Sequence, residues 1–144
     1  MKRIGFVDYY ISEWHANNYP AWIDDAGSDY KVTHVWAELD TSPLDGVTTD
    51  EWCAKFGIKK CATIDELCTE CDAIIILAPS NPEKHLPYAK AVFKYGKLIY
   101  EKVTSEFFRK LLCDIVRFFD EKTVSFDITQ TLEVIRIRDE LLQK

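Results

Sequence analysis

A glutamate and a lysine stand together at Glu101-Lys102, directly after the apolar run Leu98-Ile-Tyr100. A lysine at the carboxyl end of a strand can donate a proton or anchor a phosphate. It can equally be a solvated lysine, and spacing alone leaves both readings open. His85 lies one turn into the helical stretch after Ala78-Pro79-Ser80-Asn81, which places it near the same end. Asp8, Tyr10 and Glu13 follow the first apolar run, at the spacing of a phosphate-binding loop. Glu38 and Asp40 follow the second, where an acidic residue can grip a ribose. His34 sits inside a strand-like run beside Trp36 and reads as structural.

These residues need a scaffold, and the alternation of elements supplies one. Asp72 to Lys102 reads as strand, helix, strand. Asn81 is the expected helix cap, Pro82 the first helical residue and Gly96 the closing glycine. Upstream, Arg3 to Val7 is a strand. Ser12 to about Ala26 suits a helix that Pro20 should end or kink. A turn at Gly27-Ser-Asp29 leads to a strand over Tyr30 to Glu38 and a loop over Thr41 to Gly46. Thr48 with Glu51, and Thr63 with Glu66, have capping-box spacing, so each opens a helix, the first closed by Gly57. Lys60-Cys61 is a minimal strand between them. Such alternation predicts a parallel α/β sheet of about five strands, order 3-2-1-4-5, with helices on both faces.

The grammar changes after Val103. Thr104 and Ser105 can cap a helix whose apolar face carries Phe107, Phe108, Leu111, Leu112, Ile115, Val116 and Phe119. After a break at Glu121-Lys-Thr, Asp127 with Gln130 caps a last helix over Ile128 to Leu142. The expectation is a single domain over 1–144, with a Rossmann-like core over 1–103 and a helical extension over 104–144 packed on it.

Bulk properties exclude several classes. The formal net charge is −6 and no basic run occurs, so nucleic acid is not an expected partner. No segment reaches membrane-spanning length, and the charged start Met-Lys-Arg does not resemble a signal peptide. A cytoplasmic protein is the expectation. Five cysteines, an odd number, suit reduced thiols. Cys68-Thr-Glu-Cys71 has redox or half-zinc spacing but lacks a second pair, so no metal is expected and the thiols read as small core residues.

A dinucleotide loop carries Gly-x-Gly-x-x-Gly, for the turn, for backbone approach to the pyrophosphate and for helix packing. Those slots hold Asp8, Tyr10 and Glu13. Two are acidic where phosphate charges would sit. Like charges ~4 Å apart repel by about 1 kcal/mol in water and by several times that in a shielded cleft. Tyr10 adds bulk, and an acid at Glu38 or Asp40 does not restore a blocked phosphate site.

Ala78-Pro79-Ser80-Asn81, His85, Ala89, Gly96-Lys97 and Glu101-Lys102, with the earlier Thr63-Ile-Asp-Glu-Leu67, fall in the order seen in one family. Over residues 3 to 103 the chain resembles the N-terminal domain of the glucose-fructose oxidoreductase / inositol dehydrogenase (Gfo/Idh/MocA) family. The resemblance implies a Rossmann-like fold and NAD(P). It makes Lys102 the counterpart of the catalytic lysine that contacts nicotinamide and substrate. It also makes Pro79, Asn81, His85 and Glu101 candidate cofactor contacts. The chain departs from that pattern in its glycines, and in Val103 where the family has the proline of Glu-Lys-Pro. The tail from Cys113 to Arg138 resembles the family's extreme C-terminus, as though the middle substrate domain were missing.

Three functions follow. The first is a binding or interaction module of oxidoreductase descent that does not transfer hydride alone and takes no cofactor. The second is an NAD(P)-dependent sugar or polyol dehydrogenase completed by a partner subunit. The third is a small sugar or nucleotide binder using the strand ends. Apolar surface left by the missing domain predicts a twofold homodimer with the terminal helices near the contact.

Overall fold

The computed structural model describes residues 1–78, 82–101 and 108–121. Ten elements run in order: β1 (Lys2–Asp8), α1 (Trp14–Asp25), β2 (Tyr30–Ala37), α2 (Thr49–Phe56), β3 (Lys59–Lys60), α3 (Ile64–Glu70), β4 (Ala73–Ile76), α4 (Pro82–Phe93), β5 (Leu98–Glu101) and α5 (Phe108–Glu121). The five strands form one sheet in the order β3-β2-β1-β4-β5, every pair parallel, as the alternation of elements predicts.

Both faces of the sheet are covered, which is why its central strands are apolar without alternation. Ile4, Phe6 and Ile75 face one layer, with Tyr19 and Ile23 of α1, Trp52 of α2 and Phe119 of α5. Val7, Ile74 and Ile76 face the other, with Leu67 of α3 and Tyr88 and Val92 of α4. Gly5 lies where α3 comes closest. A Cβ there would sit 2.6 Å from Leu67 Cδ2 and 3.0 Å from Cys71 Sγ. A larger residue in the middle of β1 would push α3 off the sheet.

Element boundaries follow local chemistry with three corrections, two in helices and one in a strand. α1 does not end at Pro20 but continues to Asp25. Proline removes one backbone bond, yet Ala16, Tyr19 and Ile23 bury one continuous face on both sides of it, and that burial holds the helix together. Thr48 and Glu51 make the full reciprocal box. At α3, Thr63 accepts from the Glu66 amide, but Glu66 reaches back to the Ala62 amide, one residue beyond the cap. β3 spans Lys59–Lys60, one residue earlier than the sequence placed it, because Cys61 has turned into the buried layer and its amide closes the pairing onto Val35.

α5 packs on the same layer as α1. Ile115, Val116 and Phe119 are buried, Phe119 lies against Tyr30 at 5.3 Å, and Lys2 Nζ meets Asp120 at 2.7 Å. The expected caps at Thr104 and Ser105, Phe107, and the last helix over Ile128 to Leu142 lie outside the described residues. Among the described residues, no helix is long and apolar enough to cross a membrane.

Candidate functional site at the strand ends

In an open parallel sheet the ligand crevice lies beyond the carboxyl ends of the strands, where the order reverses. Here that point is β1, between β2 and β4. Asp8 ends β1 and is buried. Its Oδ1 accepts from the Tyr9 amide at 2.7 Å. The chain then follows β2 instead of turning sharply into α1. The Glu38 amide donates to the Asp8 carbonyl at 3.1 Å and the Leu39 amide to the Tyr9 carbonyl at 2.7 Å. Parallel pairing thus extends past the ends of both strands.

Glu13 is the N-cap of α1. Its Oε1 accepts from the Ala16 amide at 2.5 Å and its Oε2 lies 2.7 Å from His15 Nδ1. Burial pushes this carboxyl up, but bonds from the His15 ring and the His15 and Ala16 amides outweigh it and hold the group below the ordinary carboxylate range. A helix N-terminus attracts an anion through its amides and dipole. Glu13 is that anion, supplied by the chain itself. The phenol of Tyr10 is raised by burial and then by the Asp8 and Glu13 carboxylates, so it stays neutral.

The loop after β2 folds over the same turn. Ser12 Oγ donates to Asp45 Oδ2 at 2.7 Å, and Ser42 Oγ donates to the Ser12 carbonyl at 2.9 Å. Thr41 and Thr48 pair across the loop's base. Ser12 and Ser42 are both buried.

Of the two acids after β2, Asp40 pairs with Lys60 at 2.7 Å, and Lys60 also meets Asp50 at 2.9 Å. Glu38 reaches across β1 to α4. Its Oε1 accepts from Lys84 Nζ at 2.7 Å and its Oε2 from the Tyr88 hydroxyl. Lys84 also lies over the Tyr9 ring, 4.1 Å from its centroid, and Tyr88 meets Trp36 edge to face at 5.6 Å. Lys84 and then Tyr88 hold the Glu38 carboxyl low. Burial and then Glu38 hold the Tyr88 phenol high. Sequence reasoning missed Tyr9, Lys84 and Tyr88. The one available signal was that Lys84 and Tyr88 stand four apart, on one helix face.

His85 is half-buried at the strand ends, where its Nε2 donates to the Ala78 carbonyl at 2.7 Å. Lys102, Pro79 and Asn81 lie outside the described residues, and Glu101 is placed as the last residue of β5. His34 lies away from this end, buried in β2, with Nδ1 2.8 Å from Thr33 Oγ1. Cys53, Cys61, Cys68 and Cys71 are free and buried, and burial pushes the Cys71 thiol up to about 12. Among the described residues no group of His, Cys, Asp and Glu could hold a metal.

These residues do not fit a dinucleotide in its usual place. The N-terminus of α1 carries a carboxylate, and the acid placed to grip a ribose is engaged by α4.

No protein-family profile matches the sequence, and no curated protein matches it. Solved structures do. UDP-N-acetylglucosamine 3-dehydrogenase GnnA from Acidithiobacillus ferrooxidans superimposes with a TM-score of 0.53 at 16% identity, covering 83% of this chain and 36% of its own. Biliverdin reductase from Synechocystis sp. PCC 6803, solved with biliverdin and NADP+, gives 0.52 at 18% identity, covering 82% and 35%. An NAD-binding protein from Listeria innocua gives 0.53 at 17%, covering 83% and 33%. The chain spans about a third of the length of these proteins, and what it shares with them is a Rossmann-like fold.

Proposed function

We propose that this chain is a Rossmann-like domain of oxidoreductase type that has given up its dinucleotide site and acts as a binding or interaction module. The observation that carries this reading is Glu13. Its carboxylate accepts the α1 amide that a pyrophosphate would otherwise meet. A phosphate brought there would face the half-buried Glu13 carboxylate on the same amide. The engagement of Glu38 by Lys84 and Tyr88 supports the reading independently. Catalysis of hydride transfer needs cofactor and substrate positioned together, and on this reading the cofactor half of that requirement is lost.

The test is a titration with NADH and NADPH, followed by energy transfer from the four tryptophans. The reading predicts no saturable signal below millimolar concentration. A saturable micromolar response overturns it.

Self-association belongs to the same proposal. Ile115, Val116 and Phe119 of α5 are buried on the domain, and the dimer proposed is a twofold one with the terminal helices near the contact. Leu86 and Phe93 of α4, both exposed, offer apolar surface one helical face apart from the core. Sedimentation equilibrium at micromolar concentration checks this. A 16.7 kDa species that does not change with concentration rules the dimer out.

A further inference from the structure

Glu38, Lys84, Tyr88 and Tyr9 come from three separate parts of the chain and meet over the end of β1. Glu38 is on the β2 rim, Lys84 and Tyr88 are on α4, and Tyr9 is on the turn after β1. Such a group can be a passive surface pair or a device that holds two elements together. Three features favour the device.

First, the contacts are all cross-element: Lys84 and Tyr88 converge on one carboxylate, one on each oxygen, and Lys84 also covers the Tyr9 ring. Second, the group is graded in strength. Tyr88 is 4% exposed, whereas the Glu38 and Lys84 side chains are 39% and 30% exposed. An ion pair that open to water is weak and screened by salt, so it can part without unfolding the domain. Third, something lies behind it. Asp8 is only 2% exposed, and its carboxylate is near enough to act on the Tyr88 and Tyr10 phenols.

We infer that these four side chains form a clasp that holds α4 against the β2 rim and keeps the strand-end crevice shut, and that parting the clasp opens it to solvent. The inference concerns the opening of the site described above and rests on reading that site as closed. When the clasp parts, Lys84 leaves Glu38 and the Tyr9 ring together, Tyr88 loses its acceptor, and the first turns of α4 lose their tie to β2. The sheet is untouched, because the clasp is made of side-chain contacts alone, and the main-chain bonds of Glu38 and Tyr9 do not depend on them.

Native-state amide hydrogen exchange reads this directly, since it reports local opening separately from global unfolding. In Glu38→Ala, the α4 amides from His85 to Val92 should exchange several-fold faster than in the unaltered chain, with β1 and β4 amides unchanged. In the unaltered chain, added salt should speed α4 exchange, and in Glu38→Ala that salt response should vanish. The swap of Glu38→Lys with Lys84→Glu should recover part of the α4 protection, although the Tyr88 bond is lost. Equal α4 exchange in Glu38→Ala and the unaltered chain overturns the clasp. So does a rise in α4 and β4 together, which would mark Glu38 as a contributor to global stability alone. NADH titration of the unaltered chain tests the module reading separately, so either result can fail without the other.

Discussion

The buried middle of the sheet and its carboxyl-terminal rim have been built by different rules. In the middle, β1 and β4 are apolar on both sides, and Gly5 lets α3 approach closely enough for Leu67 and Cys71 to seal the layer. At the rim, polar side chains answer one another: Glu13 caps α1, Ser12 holds Asp45, Asp40 holds Lys60, and Glu38 holds Lys84 and Tyr88. A rim that takes a ligand keeps donors and acceptors for it. Among the described residues, this rim pairs them with one another. On the reading proposed above, a Rossmann-like scaffold persists while its strand-end site becomes structure.

If that contrast is right, substitutions in the middle should be felt far more than substitutions at the rim. Phe119→Ala should have the largest effect. Phe119 is 2% exposed and packs on Tyr30, so truncation should cost ~3–5 kcal/mol in a urea melt. A loss below ~1 kcal/mol would mean that α5 is an appendage and not part of the core. Gly5→Ala comes next. Its added methyl meets Leu67 Cγ at 2.8 Å, inside a fully buried layer, and should cost ~1–3 kcal/mol.

Glu13→Ala probes the rim. Loss of the cap should cost ~0.5–2 kcal/mol, less than either core change. Its pH dependence is a sharper signature. The folded carboxyl lies below its ordinary 4.5. Its contribution is therefore complete above pH 4.5 and is lost as pH falls through the folded value. The variant should lack that part of the acid limb, seen as a shallower fall in urea midpoint below pH 4.5.

The smallest effect should come from His34. Burial, and then Lys59, hold its imidazole below the ordinary 6.5. Below pH 6.5 the unfolded chain takes up a proton that the folded chain resists, so stability declines as pH falls from 6.5 toward the folded value. His34→Gln should flatten that decline. A decline of equal slope in the variant would assign it to another group.

Much of the middle was legible before the structure. The strand order follows from alternating elements, and the cap at Thr48 follows from a glutamate three residues on. What escaped is tertiary in origin. Pro20 carries a local stop signal, and only the burial of Tyr19 and Ile23 overrules it. Glu66 reaches Ala62 because the chain before α3 leaves that amide within range. At the rim, Asp8, Tyr10 and Glu13 announced a missing phosphate loop by their types. The clasp could not be read, because Glu38 lies 46 residues from Lys84 and 50 from Tyr88. No local pattern links them.

The central claim is that Glu13 fills the anion site of α1. The most direct measurement is a titration of the ¹⁵N-labelled chain with NADH, watching the amides of His15, Ala16 and Asn17. The account predicts that these resonances stay in place up to millimolar NADH, and that Glu13→Gly lets them move. Saturable shifts of those amides in the unaltered chain at micromolar NADH would contradict it.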